Sequence, residues 1–257
     1  MYRSRLDQYP NRRAILHWFL LAFNGGCINA GAFLTTGRFV THVTGFATLF
    51  GVDLSNRDID MAVSMLSIPI FFLLGAMIAG LLIDGAIHFK KKPHYDYVMG
   101  LSSLCLLAAG LAGRFDQFGP FGKPFHLEEK YVLIALLCMA CGLQNGALTT
   151  SSGSSVRTTH MTGLTTDLGL GIARMLTFTP HDDVYRRERV ANLLRLGTVL
   201  SFIIGSEVGA ILFIALGFQG FLVPAAIAAY AAWHGRLFKH AAHKQDGFAL
   251  SDVPKLT

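Results

Sequence analysis

Apolar residues fall into six long blocks along the chain, and short polar stretches separate each block from the next. A helix needs roughly 20 residues to cross a hydrocarbon core of about 30 Å. Backbone groups in lipid must be hydrogen-bonded within the spanning segment, so continuous apolar blocks of this length predict helices. The six predicted spans are Ile15–Thr36, Met61–Ile87, Tyr97–Gly113, Tyr131–Leu148, Leu193–Leu216 and Phe218–Arg236. The pattern therefore predicts an all-α membrane protein with six transmembrane helices.

The composition agrees with this class of protein. Of the 257 residues, 52% are hydrophobic and 15% are charged, whereas about a quarter of the residues in soluble domains are charged. The net charge of +6 is by itself also typical of nucleic-acid binders. Here the basic residues lie between the apolar blocks, without the interleaved aromatic residues of RNA-binding modules. We therefore expect the lipid bilayer as a partner, and no nucleic acid.

The positions of lysine and arginine predict the orientation, because cytoplasmic loops carry an excess of both. With six spans and a cytoplasmic N-terminus, all but five of the 22 basic residues lie on the cytoplasmic side. The five exceptions are Arg38, Arg57, Arg114, Lys123 and Lys130. An eight-span alternative would place the three lysines at 90–92 outside, against the rule. We therefore expect a multi-pass protein of the bacterial inner membrane with both termini in the cytoplasm.

A short motif occurs twice between predicted spans. Thr41–Gly51 and Thr159–Gly169 share the pattern Thr-His-x-Thr-Gly-x-x-Thr-x-x-Gly. The flanking spans share further spaced residues: Gly26-x-x-Asn29 parallels Gly142-x-x-Asn145, and Phe72-x-x-Gly75-x-x-x-Ala79 parallels Phe202-x-x-Gly205-x-x-x-Gly209. Two related halves are therefore predicted, residues 1–125 and 126–240, followed by a cytoplasmic tail at 241–257.

Each predicted half contains three spans, so the second half would be inverted in the membrane relative to the first. Inverted repeats are typical of secondary transporters, whose substrate sites lie near the midplane between the repeats. The motif segments predict re-entrant half-helices. Gly37–Thr41 reaches about 16 Å if extended, and a helix over about 42–54 returns about 20 Å to the same face. A second half-helix over about 160–172 would enter from the cytoplasm, so that two positive helix N-termini converge near mid-membrane.

The two motif segments resemble the YoaK family of bacterial membrane proteins. The resemblance rests on Phe39–Gly45 in the first half, and on Gln144-Asn145-Gly146 followed by Thr158–Gly163 in the second. It covers essentially the whole chain and departs at Phe46, where such proteins often carry asparagine. The resemblance implies a multispanning inner-membrane protein and no particular substrate.

The motif histidines, His42 and His160, are the first candidates for a functional site. Imidazole titrates near neutral pH and therefore suits solute binding or proton relay. Alternatively, each ring ties its re-entrant segment to a neighbouring helix. Two histidines without convergent carboxylates or thiolates do not indicate a metal site. The other predicted substrate-binding residues are polar or glycine positions in the motifs and adjoining spans, namely Thr44, Gly45, Thr48, Thr162, Gly163, Thr166, Asn29, Gln144 and Asn145.

These other residues have structural alternatives as well. Threonine hydroxyls often bond back to their own helix, and the motif glycines Gly45 and Gly163 suit close helix crossings. Amides at lipid depth need partners, which either a substrate or the packing between repeats supplies. Thr41 and Thr159 are predicted to be the N-caps of the half-helices.

Two acidic residues break the symmetry between the halves. Asp167 lies in the second motif, and Glu207 lies inside an apolar span, where an ionisable residue is a functional hypothesis by default. Both are predicted to bind a coupling proton or cation. The alternative is a buried pair with a neighbouring histidine or arginine. Arg38 and Arg157 precede the motif histidines and either attract an anion or extend to the membrane interface.

The sequence contains no Walker loop, dinucleotide fingerprint, zinc-protease motif or serine-nucleophile motif. We therefore expect neither enzymatic activity nor a cofactor. The four cysteines share an apolar surrounding, which indicates packing residues rather than a redox or metal site; they are Cys27, Cys105, Cys138 and Cys141.

Together these features predict a transporter or facilitator for a small polar or anionic solute, with coupling to protons as an option. A channel is a close variant, because half-helices also build pores. A non-transporting sensor or assembly factor is the alternative from a different class. The small residues of Gly205-x-x-x-Gly209 fit either a homodimer or packing within one chain.

Overall fold

The computed structural model describes residues 12–122, 127–152 and 160–249. Every regular element in these ranges is helical. The longer helices are α1 Arg12–Thr36, α2 Val43–Ser55, α3 Ile59–Gly80, α4 Tyr95–Arg114, α5 Leu127–Ser151, α6 Met161–Thr177, α7 Asp183–Leu216 and α8 Leu222–Ala249. A π-helical turn, Leu81–Gly85, extends α3 as far as His88, and a 3-10 turn, Gly217–Phe221, joins α7 to α8.

The helices confirm the predicted all-α class within the described ranges, and several of them could span a membrane by length and composition. Five helical stretches are long and apolar enough to cross a membrane, namely Arg12–Thr36, Ile59–His88, Tyr95–Arg114, Lys130–Ser151 and Asp183–Gly235. The last stretch contains the fifth and sixth predicted spans. It is interrupted at Gly217, whose φ of 57° lies in the left-handed region that favours glycine. Helix α8 continues to Ala249, past the start of the predicted tail.

Local chemistry sets the ends of the segment that contains α2. Gly37, with a φ of 67°, follows the last residue of α1. Asp58 precedes α3, and its carboxylate accepts a hydrogen bond from the backbone N–H of Met61 at 3.1 Å. This bond satisfies one of the free donors in the first turn of α3. The segment between Gly37 and Asp58 is therefore bounded by two defined helix ends.

The long helices pack in two equivalent pairs, α1 with α7 and α3 with α5. Helices α1 and α5 also touch each other, and α4 packs against both α5 and α8. Among the described elements, α2 contacts only α3 and α6 contacts only α7. The contacts therefore follow the order α2–α3–α5–α1–α7–α6, with the two short helices at opposite ends.

Contacts between side chains and backbone give the relative directions of these helices. In both pairs the residue numbers of the contacting residues increase together along the two helices, so the helices of each pair are parallel. The contacts are Phe19–Gly197 and Gly31–Phe213 for α1 and α7, and Gly75–Met139 and Ala79–Gly146 for α3 and α5.

Helix α1 is antiparallel to α5. Asn24 bonds to Gln144, whereas Thr35, near the end of α1, bonds to Lys130, near the start of α5. The contacts of α4 with α8 also run in opposite order, with Gly113 against Phe218 and Gly235 against Asp96. Rings of His17 and His234 stack at 5.5 Å, which places the later part of α8 beside the start of α1. Hence α1, α4 and α7 run one way, and α3, α5 and α8 run the other.

Glycines in corresponding positions allow the two parallel pairs to cross closely. A Cβ on Gly26 would overlap the carbonyl oxygen of Phe202, and a Cβ on Gly142 would overlap the carbonyl oxygen of Phe72. Because these neighbours are backbone atoms, the helices themselves would have to separate to admit a side chain. Both crossings lie near the middle of their helices.

The pattern Gly205-x-x-x-Gly209 serves packing within the chain. A Cβ on Gly205 would overlap the carbonyl oxygen of Phe23, and a Cβ on Gly209 would lie 2.7 Å from the Cα of Cys27. Both glycines are buried against α1. The interpretation of this pattern as a contact between two copies is therefore wrong, because α1 of the same chain occupies it.

Candidate functional site

Buried polar contacts hold the start of α2 against the middle of the helix bundle. The hydroxyl of Thr41 donates to Oδ1 of Asn29 at 2.9 Å, and the thiol of Cys138 donates to the carbonyl of Val40 at 3.6 Å. Asn29 precedes the last residue of α1, Thr36, by seven residues, which is about 10 Å along a helix. The segment before α2 therefore turns back along α1 before α2 begins.

The predicted N-cap at Thr41 is wrong. The N-cap of α2 is His42, and no side chain caps that helix. The Thr41 hydroxyl is directed to Asn29 instead, because it is buried beside α1 and needs a partner there. His160 occupies the same position before α6, also without a capping side chain, and Thr159 lies outside the described residues.

The two motif histidines have different surroundings. His42 is half-buried and meets Phe39 edge to face, with ring centroids 5.3 Å apart. His160 is exposed, and its imidazole lies so close to Gly163 that a Cβ there would overlap the ring. At Gly45 the nearest atom to such a Cβ is the Cβ of His42, at 3.9 Å. A Cβ would therefore displace the exposed His160 ring in the second motif, whereas it would meet only an ordinary contact in the first.

The expected meeting of the two half-helix starts is not seen. Helices α2 and α6 make no contact with each other in the described part of the chain, and each lies beside its own following helix. Each motif therefore lies on a short helix that packs against the helix following it, and a site shared by His42 and His160 stays a prediction.

The motif threonines repeat one arrangement in both halves. Thr48 donates to the carbonyl of Thr44 at 3.0 Å, and Thr166 donates to the carbonyl of Thr162 at 3.0 Å. All four threonines and Gly45 are exposed. The buried residues Phe46 and Leu164 lie on the opposite faces of α2 and α6, which pack inward. The hydroxyls are satisfied locally, yet each retains an acceptor site on the open face.

Gln144 lies in a buried network that joins α1 to α5. Its amide nitrogen donates to the carbonyl of Leu21 at 2.7 Å, and its oxygen accepts from Nδ2 of Asn24 at 2.9 Å. Oδ1 of Asn24 is buried and has no hydrogen-bond partner among the described residues. Gln144 therefore packs the bundle, whereas Asn145 is half-buried. Sequence reasoning missed Asn24, although an amide inside an apolar block was a visible signal.

Lys130 is the second buried residue that sequence reasoning missed. The charge pattern predicts an external position for Lys130, but the residue is 1% exposed. Its amine donates to the carbonyl of Thr35 at 2.8 Å. A cation at this place complements the carbonyl groups at the C-terminus of α1. Its position at the start of the apolar block was the available signal.

The two unpaired acids both lie on the outside of the structure. Asp167 and Glu207 are exposed, and among the described residues neither forms the buried ion pair that is the alternative. Glu207 lies between Gly205 and Gly209 along α7, but those glycines face α1 and Glu207 does not. Of the two arginines near the motifs, Arg38 is half-buried, and Arg157 lies outside the described residues.

A charged cluster ties α6 to the first part of α7. Glu188 bonds Arg174 at 2.6 Å and Arg195 at 3.2 Å, and Arg195 also donates to Asn192 at 2.8 Å. A Cβ on Gly171 of α6 would overlap the Asn192 side chain. This contact fixes the position of α6 along α7. The alternating charges of this polar segment did not predict the contact.

The cysteines behave as predicted packing residues: Cys27, Cys105, Cys138 and Cys141 are all buried and free. Within the described ranges, no group of three or more His, Cys, Asp or Glu side chains is placed to hold a metal ion.

The fold and these contacts define a helical protein of membrane type, with several helices long and apolar enough to cross a bilayer. The chain belongs to the family described as "Protein of unknown function (DUF1275)", whose model matches residues 17–234. No curated protein and no solved structure matches the chain. Membership in an uncharacterised family agrees with the motif resemblance, and the name YoaK stays a prediction.

Proposed function

We propose that the protein is a transporter or facilitator for a small polar or anionic solute in the bacterial inner membrane. In this proposal it has six spans, two inverted halves and cytoplasmic termini. Each half carries one re-entrant half-helix, α2 or α6. The protein acts without enzymatic chemistry and without a cofactor.

The helix directions support the inverted halves. By the motif correspondence, α1, α3 and α4 match α5, α7 and α8 in that order. In the structure each helix of the first set runs opposite to its counterpart, and the glycine crossings at Gly26 and Gly142 are equivalent. Inverted repeats are characteristic of secondary transporters.

The bond from Thr41 to Asn29 is the observation that carries the re-entrant assignment. It holds the start of α2 beside Asn29, about 10 Å from the end of α1, and the bond from Cys138 to Val40 holds the same segment beside the middle of α5. The 13 residues of α2 then rise about 20 Å, about two-thirds of a hydrocarbon core. That length is enough to return the chain to the face it entered from, and the contact of α2 with α3, which follows after a short loop, supports this direction.

The contact of Gly171 with Asn192 supports the same geometry in the second half. Because α6 and α7 form an antiparallel hairpin, the start of α6, ten residues earlier, lies roughly level with Phe202. Phe202 is the residue that Gly26 crosses. Both half-helices therefore begin near the level of the glycine crossings, where their free N–H groups and positive dipole ends favour an anion.

The separation of α2 and α6 changes the proposed site. We assign each half-helix its own solute-contacting surface in place of one shared site. The surfaces consist of His42, Thr44, Gly45 and Thr48 on α2, and of His160, Thr162, Gly163 and Thr166 on α6. Asn29 supports the first surface through its bond to Thr41, whereas Gln144 joins α1 to α5. Asn145 is assigned to the second surface.

Proton coupling is assigned to Asp167 and Glu207. A proton site must exchange with water or with a second group, and both carboxyl groups are accessible on the surface of the chain. Asp167 lies on the exposed face of α6, one residue after Thr166, so it belongs to the second solute surface. Glu207 lies apart from that surface on α7.

The test is uptake by the purified protein in liposomes. The probes are inorganic phosphate, acetate and lactate, each with and without an inward proton gradient. We expect saturable flux, and a loss of about tenfold or more for His42→Ala and His160→Ala, since a hydrogen bond to a charged group contributes about 1.5–3 kcal/mol. His181→Ala, an exposed loop histidine, is the matched control. Absence of flux for every probe would contradict the proposal.

A non-transporting membrane protein is the second candidate, because Thr48 and Thr166 bond to their own helices and Gln144 bonds within the bundle. This alternative predicts that the histidine variants lower stability and leave permeability unchanged. A channel predicts fast flux that does not saturate.

A further inference from the structure

Glu207 lies at the centre of an exposed apolar face of α7. The residues that share this face recur at intervals of three or four, which is the spacing of one side of a helix. They are Leu200, Ile203, Ile204, Ile211 and Ile214, with exposed fractions of 48, 54, 52, 64 and 73%. The opposite side of α7 packs on α1 through its glycines. A single carboxyl group therefore interrupts a surface that otherwise suits lipid.

The depth of Glu207 makes this exposure costly. Gly205 and Gly209, on either side of it in sequence, cross α1 at Phe23 and Cys27, which lie near the middle of Arg12–Thr36. A carboxyl group at this depth would face the hydrocarbon core if lipid alone covered α7, and acids there are costly unless they are paired. The described part of the chain offers Glu207 no hydrogen bond or ion pair.

The fold itself does not require an acid here. The corresponding residue of α3 is Met77, which is 50% exposed. Its neighbours on the exposed face of α3 are apolar as well, with Ile70 at 51% and Leu81 at 66%. The face of α3 is thus suited to lipid throughout, and the face of α7 is not.

We propose that a second copy of this chain covers the Glu207 face, with α7 packed against α7 around a two-fold axis along the membrane normal. Two parallel copies place equivalent residues at the same depth, so Glu207 meets Glu207. A carboxylic acid both donates and accepts hydrogen bonds, and two adjacent carboxyl groups readily share one proton. The face is therefore complementary to itself, and polar side chains are known to join transmembrane helices in this way.

This inference depends on the membrane embedding of α7 and not on the proposed transport. A flux measurement and a dimer measurement are therefore separate results. Glu207→Gln also separates the two roles of the residue, because an amide keeps the hydrogen bonds between copies but cannot bind and release a proton.

Disulfide crosslinking in native membranes tests the interface. Ile211→Cys places a thiol one turn from Glu207 on the exposed face. The matched control is Leu81→Cys, the corresponding position of α3, with nearly equal exposure at 66% against 64%. The four native thiols are buried, so the introduced thiol is the accessible one. We expect a band of twice the chain mass for Ile211→Cys and none for Leu81→Cys.

The role of the carboxyl group is tested in the same crosslinking background. We expect Glu207→Leu to weaken dimerisation in lipid by about three- to thirtyfold, and Glu207→Gln to change it less than threefold. Elution of each variant as a single folded species in detergent shows that the substitution is tolerated. Single-molecule photobleaching in lipid vesicles gives the dimer fraction without any thiol chemistry.

Several results would overturn the proposal. These are equal crosslinking at both positions, a crosslinked band of another mass, and one photobleaching step per molecule at all protein densities. Dimerisation of Glu207→Leu at the strength of the unmodified chain would overturn the assignment to the carboxyl group.

Discussion

Substitution of Gly142 by alanine tests the close crossing of α3 and α5. The added Cβ would overlap the carbonyl oxygen of Phe72 and lie 3.1 Å from the backbone nitrogen of Ala76. Since both are backbone atoms of α3, no side chain can move aside, and the helices must separate. Overpacking of this kind costs about 1–3 kcal/mol, whereas replacing glycine by alanine in a helix gains about 0.5–1 kcal/mol. The steric cost is larger, so a net loss of about 0.5–2 kcal/mol is expected.

Gly100→Ala is the matched control for this prediction. Gly100 also lies within a long helix, α4, but apart from the neighbouring backbone of that helix no described atom lies within 4 Å of the position of its Cβ. Only the gain from helix propensity remains, so this variant is expected to be more stable than the unmodified chain. The two substitutions are chemically identical and are predicted to have effects of opposite sign.

The assay is thermal unfolding of each purified variant in the same detergent. For a chain of this size about 1 kcal/mol corresponds to about 2–4 °C in Tm. We therefore expect Tm to fall by about 1–8 °C for Gly142→Ala and to rise by about 1–4 °C for Gly100→Ala. A Gly142→Ala protein that melts at or above the unmodified chain would refute the crossing.

Three further predictions concern hydrogen bonds, each with stability in detergent as the readout. Thr41→Val should lower the free energy of unfolding by about 1–3 kcal/mol because it leaves Asn29 buried without its donor. Thr48→Val loses only a bond to its own helix and should lower it by less than about 0.5 kcal/mol. Equal effects of the two substitutions would contradict the anchoring of α2. Gln144→Leu should cost about 1–3 kcal/mol by stranding the amide of Asn24, and adding Asn24→Leu should recover part of that loss. Additive losses would show that the two amides do not interact.

The third prediction concerns the charged cluster at the base of α6 and α7. Arg195 is 17% exposed and bonds both Glu188 and Asn192, whereas Arg174 is 50% exposed and bonds Glu188 alone. Arg174→Ala should cost less than about 1 kcal/mol, as exposed ion pairs do, and Arg195→Ala should cost more. The reverse order would contradict the burial described for this cluster.

The helices were predictable from the sequence because apolar block length alone decides whether a segment can span lipid. The predicted span from Ile15 agrees with α1 Arg12–Thr36, and the half-helix predicted over about 42–54 agrees with Val43–Ser55. The second half-helix extends to Thr177, about five residues beyond the prediction. Helix α6 extends past the apolar motif, where Arg174 and Asn192 make polar contacts with neighbouring residues. A pattern of apolar residues does not predict such contacts.

The candidate site was less predictable, because local sequence patterns do not determine which helices pack against each other. A meeting of the motifs at His42 and His160 stays a prediction, because the described contacts show only that α2 packs on α3 and α6 on α7. The sequence marks Gly26 and Gly205 as small residues that allow close helix packing. Only the three-dimensional contacts show that Gly26 packs on α7 and Gly205 packs on α1 of the same chain. The mistaken cap at Thr41 has the same origin, because its partner Asn29 belongs to another helix.

Labelling of single cysteines tests most directly the claim that α2 enters and leaves the membrane on one face. Arg38→Cys lies before α2 and Asn56→Cys lies after it, while Lys91→Cys lies in the loop that follows α3. The probe is a membrane-impermeant maleimide applied to intact cells and to inverted vesicles, and the native thiols are buried. The account predicts that Arg38→Cys and Asn56→Cys are both labelled from outside, and Lys91→Cys only from inside. Labelling of Arg38→Cys and Asn56→Cys from opposite sides would show that α2 crosses the whole membrane and would contradict the account.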